Sequence, residues 1–127
     1  MHDPNIATIT NYLSGMPSIE VAWLYGSRAS GKNGPASDYD IAVALTDDTS
    51  HRMEVVEELR FTLAEHINAE VSVADINRLA APLAYNVVDK GEVLVCKSDL
   101  RLRAEQQRVW SLWELYKFEH EHNRKTV

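Results

Sequence analysis

Between Trp23 and Leu45 the chain runs Trp-Leu-Tyr-Gly26-Ser27-Arg28, crosses a polar stretch rich in glycine, and resumes as Asp38-Tyr-Asp40-Ile-Ala-Val-Ala-Leu45. An apolar strand ending in Gly-Ser, followed by a second apolar strand opening on two aspartates, leaves few ways to fold. Asp38 and Asp40 are two residues apart, so in a strand both side chains leave the same face, with Cα atoms roughly 6.6 Å apart. Two carboxylates facing one another beside an apolar run repel and resist desolvation. A hard divalent ion such as Mg²⁺ removes that conflict, because it takes carboxylate oxygens together with substrate phosphates. Gly26 lets the backbone come close to a ligand. Ser27 offers a hydroxyl and an N–H, and the residues after it open a helix whose free N–H groups attract phosphate. Arg28 and Lys32 add positive charge. A plain connection with two solvent-facing aspartates uses the same residue types. The two motifs together, each with its own strand, favour the phosphate-and-metal reading.

This spacing, Gly26-Ser27, ten residues, then Asp38-x-Asp40, resembles the polymerase-beta-type nucleotidyltransferases, in particular the minimal nucleotidyltransferases. The resemblance is sharp from Trp23 to Leu45 and looser to about Val95. It implies an α/β (α+β) fold: a small mixed sheet flanked by helices, palm-like, with a C-terminal helix. It also implies that Gly26, Ser27 and Arg28 bind the nucleotide, that Asp38 and Asp40 bind Mg²⁺, and that Ser27, Asp38 and Asp40 are catalytic. Members of the family usually carry a third carboxylate in the third strand, on the face of the first two. Counting along the chain places that position at Ser72, which brings no charge. Glu70, two residues earlier on the same strand face, has the longer side chain that could substitute. Asp75 alternates to the other face and suits a cap for the following turn.

At 127 residues the chain holds one real core but not two. We divide it into the nucleotidyltransferase domain, 1–97, and a C-terminal helix, 98–127, packed on the domain and contacting a partner. No apolar run nears the roughly 20 residues that cross a bilayer, and the start of the sequence carries no signal-peptide pattern. The single cysteine, Cys96, rules out an internal disulfide and suits a reducing cytoplasm. Its apolar surroundings predict a buried structural thiol. A net charge of −6 argues against direct nucleic-acid binding, which needs clustered Lys and Arg.

Along the chain, Asp3-Pro4 starts a helix that Gly15-x-Pro17 stops. Strands are expected at 19–25 and 38–45. The loop 46–50 provides caps, with Asp47 and Asp48 serving the next helix's N-terminus rather than a metal. That helix, 51–68, has Met53, Val56, Leu59, Leu63 and Ile67 as its buried stripe. A third strand follows at 70–74, then helical structure over 76–90, firm after Pro82 and ended by Gly91. A short strand covers 92–97 and a long helix runs from Ser98 to about Asn123. On that helix Val109, Leu112, Trp113 and Tyr116 form the docking stripe. Trp110, Leu115 and Phe118 lie outside it and mark a contact with the toxin or a second copy. None of the histidines pairs as a metal site; His120 and His122 fall on different helix faces.

The chain further resembles the antitoxin of HEPN/minimal-nucleotidyltransferase toxin–antitoxin pairs. That resemblance implies a cytoplasmic, Mg²⁺-dependent enzyme that moves AMP from ATP onto a tyrosine of a HEPN ribonuclease toxin. Two other readings stand beside it: a module that neutralises its toxin by contact alone, for which Ser72 speaks, and a transferase acting on a small molecule.

Overall fold

Two segments of the chain are apolar at nearly every position, and both sit at the centre of the sheet, where each face is covered. They are β1, Ile19–Tyr25, and β2, Tyr39–Leu45, which pair antiparallel with Tyr25 opposite Asp40 and Ile19 opposite Leu45. The computed structural model describes residues 3–125. β3, Val71–Asp75, joins β2 in parallel. β4, Glu92–Cys96, joins β1 antiparallel, giving the order β3-β2-β1-β4. The sheet is therefore mixed and the class is α+β, as the sequence suggests.

Alternation divides the strands between two cores. Ala22, Leu24, Ile41, Val43 and Val71 face α1 (Pro4–Ser14) and α3 (Arg52–Ile67). Val21, Trp23, Tyr25, Ala42 and Ala44 face α4 (Ala81–Lys90) and α5 (Asp99–Lys125). Between β1 and β2 lies one short turn of helix, α2 (Ser27–Ser30). Asp3 caps α1 as expected, accepting from the Asn5 amide at 2.9 Å. Among the described residues no helix is long and apolar enough to cross a membrane.

Four expectations change. Met53 is exposed, while Leu59, Leu63 and Ile67 are buried. At about 100° per residue Arg52 shares the inward angle of Leu59 and Leu63, and Met53 falls at the stripe's edge. Arg52 uses that angle to reach Asp75 at 2.8 Å. Second, Asp47 and Asp48 do not cap α3: His51 occupies the cap position with φ 54° and no side-chain cap bond, and Asp47 lies 3.7 Å from Arg101. Third, Cys96 is exposed, because β4 is an edge strand whose outer side the helices leave open. Its thiol donates to Asp99 at 3.4 Å, and partial burial together with that carboxylate raises its pKa, so it remains a thiol. The docking stripe of α5 is also shorter than expected: Val109 is buried, but Leu112 and Tyr116 are exposed.

What fixes α5 is a polar cluster at the sheet end formed by Glu20, Leu45 and Asp75. Arg101 donates to Glu20 at 2.8 Å, the Leu45 carbonyl at 2.8 Å and Asn77 at 3.0 Å. Glu105, 5% exposed, accepts from Asn77 at 2.9 Å and Arg108 at 2.8 Å. Asp75 accepts from the Asn77 amide at 3.0 Å, the capping role read from its position. Charges so far removed from water are held only because each has partners. Arg101→Ala leaves Glu20 and Glu105 short of a donor and is expected to cost about 2 kcal/mol, read as a lowered urea midpoint. An unchanged midpoint would show that the apolar contacts alone hold α5.

Candidate active site

The site lies at the other end of the sheet. Asp40 sits between Tyr25 on β1 and Ser72 on β3, so the three side chains leave one face as a row. Asp38 precedes the strand and is exposed, whereas Asp40 is half-buried. Gly26 has φ +75°, a conformation that side chains other than glycine's rarely adopt. Any Cβ built there would collide with Asp40 Oδ2. The Gly-Ser turn is thus pressed directly onto the aspartate. In α2 the Gly26 carbonyl accepts from the amides of Ala29 and Ser30, both at 3.2 Å. The amides of Ser27 and Arg28, first in the helix, have no intrahelical acceptor. Gly31, at φ +78°, ends the turn.

Burial, and then the neighbouring charge of Asp38, pushes the pKa of Asp40 above the ordinary carboxylate value. The phenol of Tyr25 is raised as well, by burial first and by Asp40 second. Both shifts report negative charge held where water cannot fully screen it. A hard cation fits this donor set, which offers carboxylate oxygens and no imidazole or thiolate. Among the described residues no group of three or more His, Cys, Asp or Glu is placed to hold a metal. Asp38 and Asp40 would hold such a cation, leaving the rest of its shell to water or substrate oxygens.

The structure brings Gly26, Ser27, Asp38 and Asp40 together. It turns the Arg28 side chain elsewhere: the guanidinium donates to the Ser37 carbonyl at 2.8 Å and the Pro35 carbonyl at 3.3 Å. It also lies 3.4 Å from Asp3 and 4.1 Å above the Tyr39 ring. Tyr39 faces the α1–α3 core, so Arg28 braces the loop from the side away from Asp40. Its backbone amide stays at the turn. Lys32 is exposed. Ser72 stands beside Asp40 in register, where counting along the sequence puts it. Glu70 precedes β3, is exposed, and gives its carbonyl to the Tyr39 amide at 3.0 Å. Tyr25 also lines this row, a place that strand alternation and its position just before Gly26 specify.

Residues 7–100 match the family described as "Polymerase beta, Nucleotidyltransferase". The chain belongs to that family. This nucleotidyltransferase also matches chains of solved structures over nearly their whole length. One is a toxin–antitoxin complex with AMP-PNP, at a TM-score of 0.78 and 21% identity, covering 100% of this chain and 98% of that one. Another is a tri-AMPylated Shewanella oneidensis HEPN toxin in complex with an MNT antitoxin, at 0.76 and 22%, covering 100% and 98%. A third is the MntA–HepT toxin–antitoxin, at 0.75 and 21%, covering 99% and 98%. Likeness at these identities establishes the fold. No curated protein matches the chain.

Because folding raises the Asp40 pKa from its ordinary 3.8, the native state binds that proton more tightly than the unfolded chain. The resulting penalty is absent below the ordinary value, where both states are protonated, and full above the raised one. Asp40→Asn in this nucleotidyltransferase is therefore expected to raise the thermal midpoint at pH 7 by about 2 °C, a small gain because water still screens the carboxylate. The gain should shrink as pH falls through the raised value and vanish only below the ordinary 3.8, at about pH 3. Mg²⁺ should raise the midpoint of the native chain and not that of the variant. Thermal unfolding followed by circular dichroism, with and without Mg²⁺, measures both effects.

Proposed function

We propose that this chain is the antitoxin of a HEPN/minimal-nucleotidyltransferase pair and that it silences its toxin by transferring AMP from ATP onto a tyrosine of that ribonuclease. The observation that carries this reading is the Asp40 carboxylate packed against the Gly26-Ser27 turn with Asp38 beside it. That contact puts a phosphate cradle and a cation site in touch. Support for the antitoxin role comes from the full-length likeness to chains of toxin–antitoxin complexes, one with AMP-PNP and one with an AMPylated toxin.

Gly26 brings the backbone up to the phosphates without a side chain in the way. The Ser27 hydroxyl and the amides of Ser27 and Arg28 donate to them. Arg28 itself holds the following loop in place. Asp38 and Asp40 would hold Mg²⁺, which when bound neutralises charge on the phosphates. The tyrosine oxygen bonds to the α-phosphorus as the bridge to the β-phosphate breaks and pyrophosphate leaves. The proton of the tyrosine goes to water or to Glu70, since Ser72 cannot take it at neutral pH. ATP and a ribonuclease target place this chemistry in the cytoplasm.

One observation favours a second reading, neutralisation by contact alone. Ser72 lies in register with Asp40 and contributes no charge.

Label transfer from ATP to the co-expressed HEPN ribonuclease separates the two. Asp38→Ala with Asp40→Ala, or chelation of Mg²⁺, is expected to lower transfer at least about 10²-fold. If the native chain protects cells without labelling its partner, contact alone is the mechanism. In the same assay Ser72→Asp should raise transfer and Glu70→Ala should lower it. Indifference to both changes would mean that this strand face does not serve the incoming tyrosine.

A further inference from the structure

We infer that the outer face of α5 pairs with the same face of a second copy of this chain, running antiparallel. α5 docks on its own domain through one narrow stripe that includes Leu102 and Val109, with Glu105 and Arg101 fastened beside them. On the far side of the helix, an arc of about 80° runs from Leu100 to His122, and every residue in it is exposed. Leu100 is 81%, Leu115 55% and Phe118 67% exposed. Three large apolar side chains exposed on one face, two of them adjacent at Leu115 and Phe118, are costly to leave in water.

The order of residues along the line gives the register in which a second copy would meet it. Ser111 is the midpoint, and the seam is symmetric in spacing about it: Leu100 and His122 lie 11 residues away on either side, Ala104 and Phe118 seven, Gln107 and Leu115 four. An antiparallel copy, related by a two-fold through Ser111, sets Phe118 against Ala104 and leaves serine against serine where the helices come closest. Phe118 thus meets a small residue, while Leu115 lies against the stem of Gln107 and Leu100 against His122. The Phe118 and His122 rings already stack within one chain, 6.0 Å between centroids. Trp110, 58% exposed, flanks the midpoint in both copies.

Charge points to the same arrangement. Arg103 and Glu121, both exposed, share one flank of the seam. They lie eight residues before and ten after Ser111. A two-fold perpendicular to the helix pair keeps each flank with itself, so Arg103 of one copy comes within about 3 Å along the axis of the level of Glu121 in the other. The contact is made twice. A parallel pair would put the Arg103 and Glu121 flanks of the two copies on opposite sides and lose this contact. The pairing uses the side of α5 turned away from the sheet, and it does not depend on the nucleotidyl-transfer reading.

Sedimentation equilibrium of the full chain and its variants tests this. The native chain is expected to dimerise, and Leu115→Glu with Phe118→Glu to be monomeric with an unchanged circular dichroism spectrum. Arg103→Glu or Glu121→Arg alone should weaken the dimer about tenfold, and the two together should restore it to within about threefold. A native chain that stays monomeric overturns the proposal, as does a double charge reversal no better than either single one. Should the Leu115 and Phe118 changes abolish binding of the HEPN ribonuclease while self-association persists, the face belongs to the toxin and the pairing is wrong.

Discussion

The antiparallel register of β1 and β2 sets Tyr25 opposite Asp40, and the rest of the site follows from that alignment. One residue beyond Tyr25 the chain must turn, and it turns with the Asp40 carboxylate in the space a side chain would fill. Only glycine satisfies both the positive φ and the close approach. The same register carries Ser72 to the flank of Asp40 through β3. Slipping β2 by one residue would send Asp40 into the α1–α3 core, and slipping β1 or β3 would take Tyr25 or Ser72 out of the row. The apolar runs of β1 and β2, buried on both faces, are what hold the register against that cost.

The two ends of the sheet handle buried charge in opposite ways. At the α5 end the buried carboxylates are matched: Asp75 with Arg52, and Glu105 with Arg101 and Arg108, while Arg101 also meets Glu20. At the Gly-Ser end two carboxylates stand together and, among the described residues, no basic side chain pairs with them, since Arg28 is spent on the loop. A fold that neutralises one end so completely leaves the other poised for a cation and a polyanion to supply what the chain withholds.

Much of this was legible in the sequence because it rests on local rules. Strand β1 has the bounds its apolar run predicts, Asp3 caps α1, and Asp75 caps the turn after β3. Ser72 could be placed because counting in strands is periodic. The misses share a different cause. Met53, Cys96 and Leu112 are apolar residues that the sheet's finite width leaves uncovered, and a sequence pattern does not show where a neighbouring element stops. Asp47 and Arg28 look like servants of the nearest helix or phosphate. Each is drawn away by a partner distant in the chain, Arg101 in one case and Asp3 in the other. Long polar side chains are the hardest to assign from sequence, since their reach spans several candidate partners.

The Arg28 brace carries a thermodynamic consequence. The connection from Gly31 to Ser37 is glycine- and proline-bearing and would by itself sample many shapes. Arg28 ties its far end to two carbonyls, to an aromatic face and, through Asp3, to the first turn of α1. The entropy of that connection is therefore surrendered when the domain folds and not when a ligand arrives, which leaves more of the intrinsic attraction to appear as affinity. It also ties the N-cap of α1 to the proposed nucleotide site: whatever loosens Asp3 lengthens the leash on the loop between the two motifs.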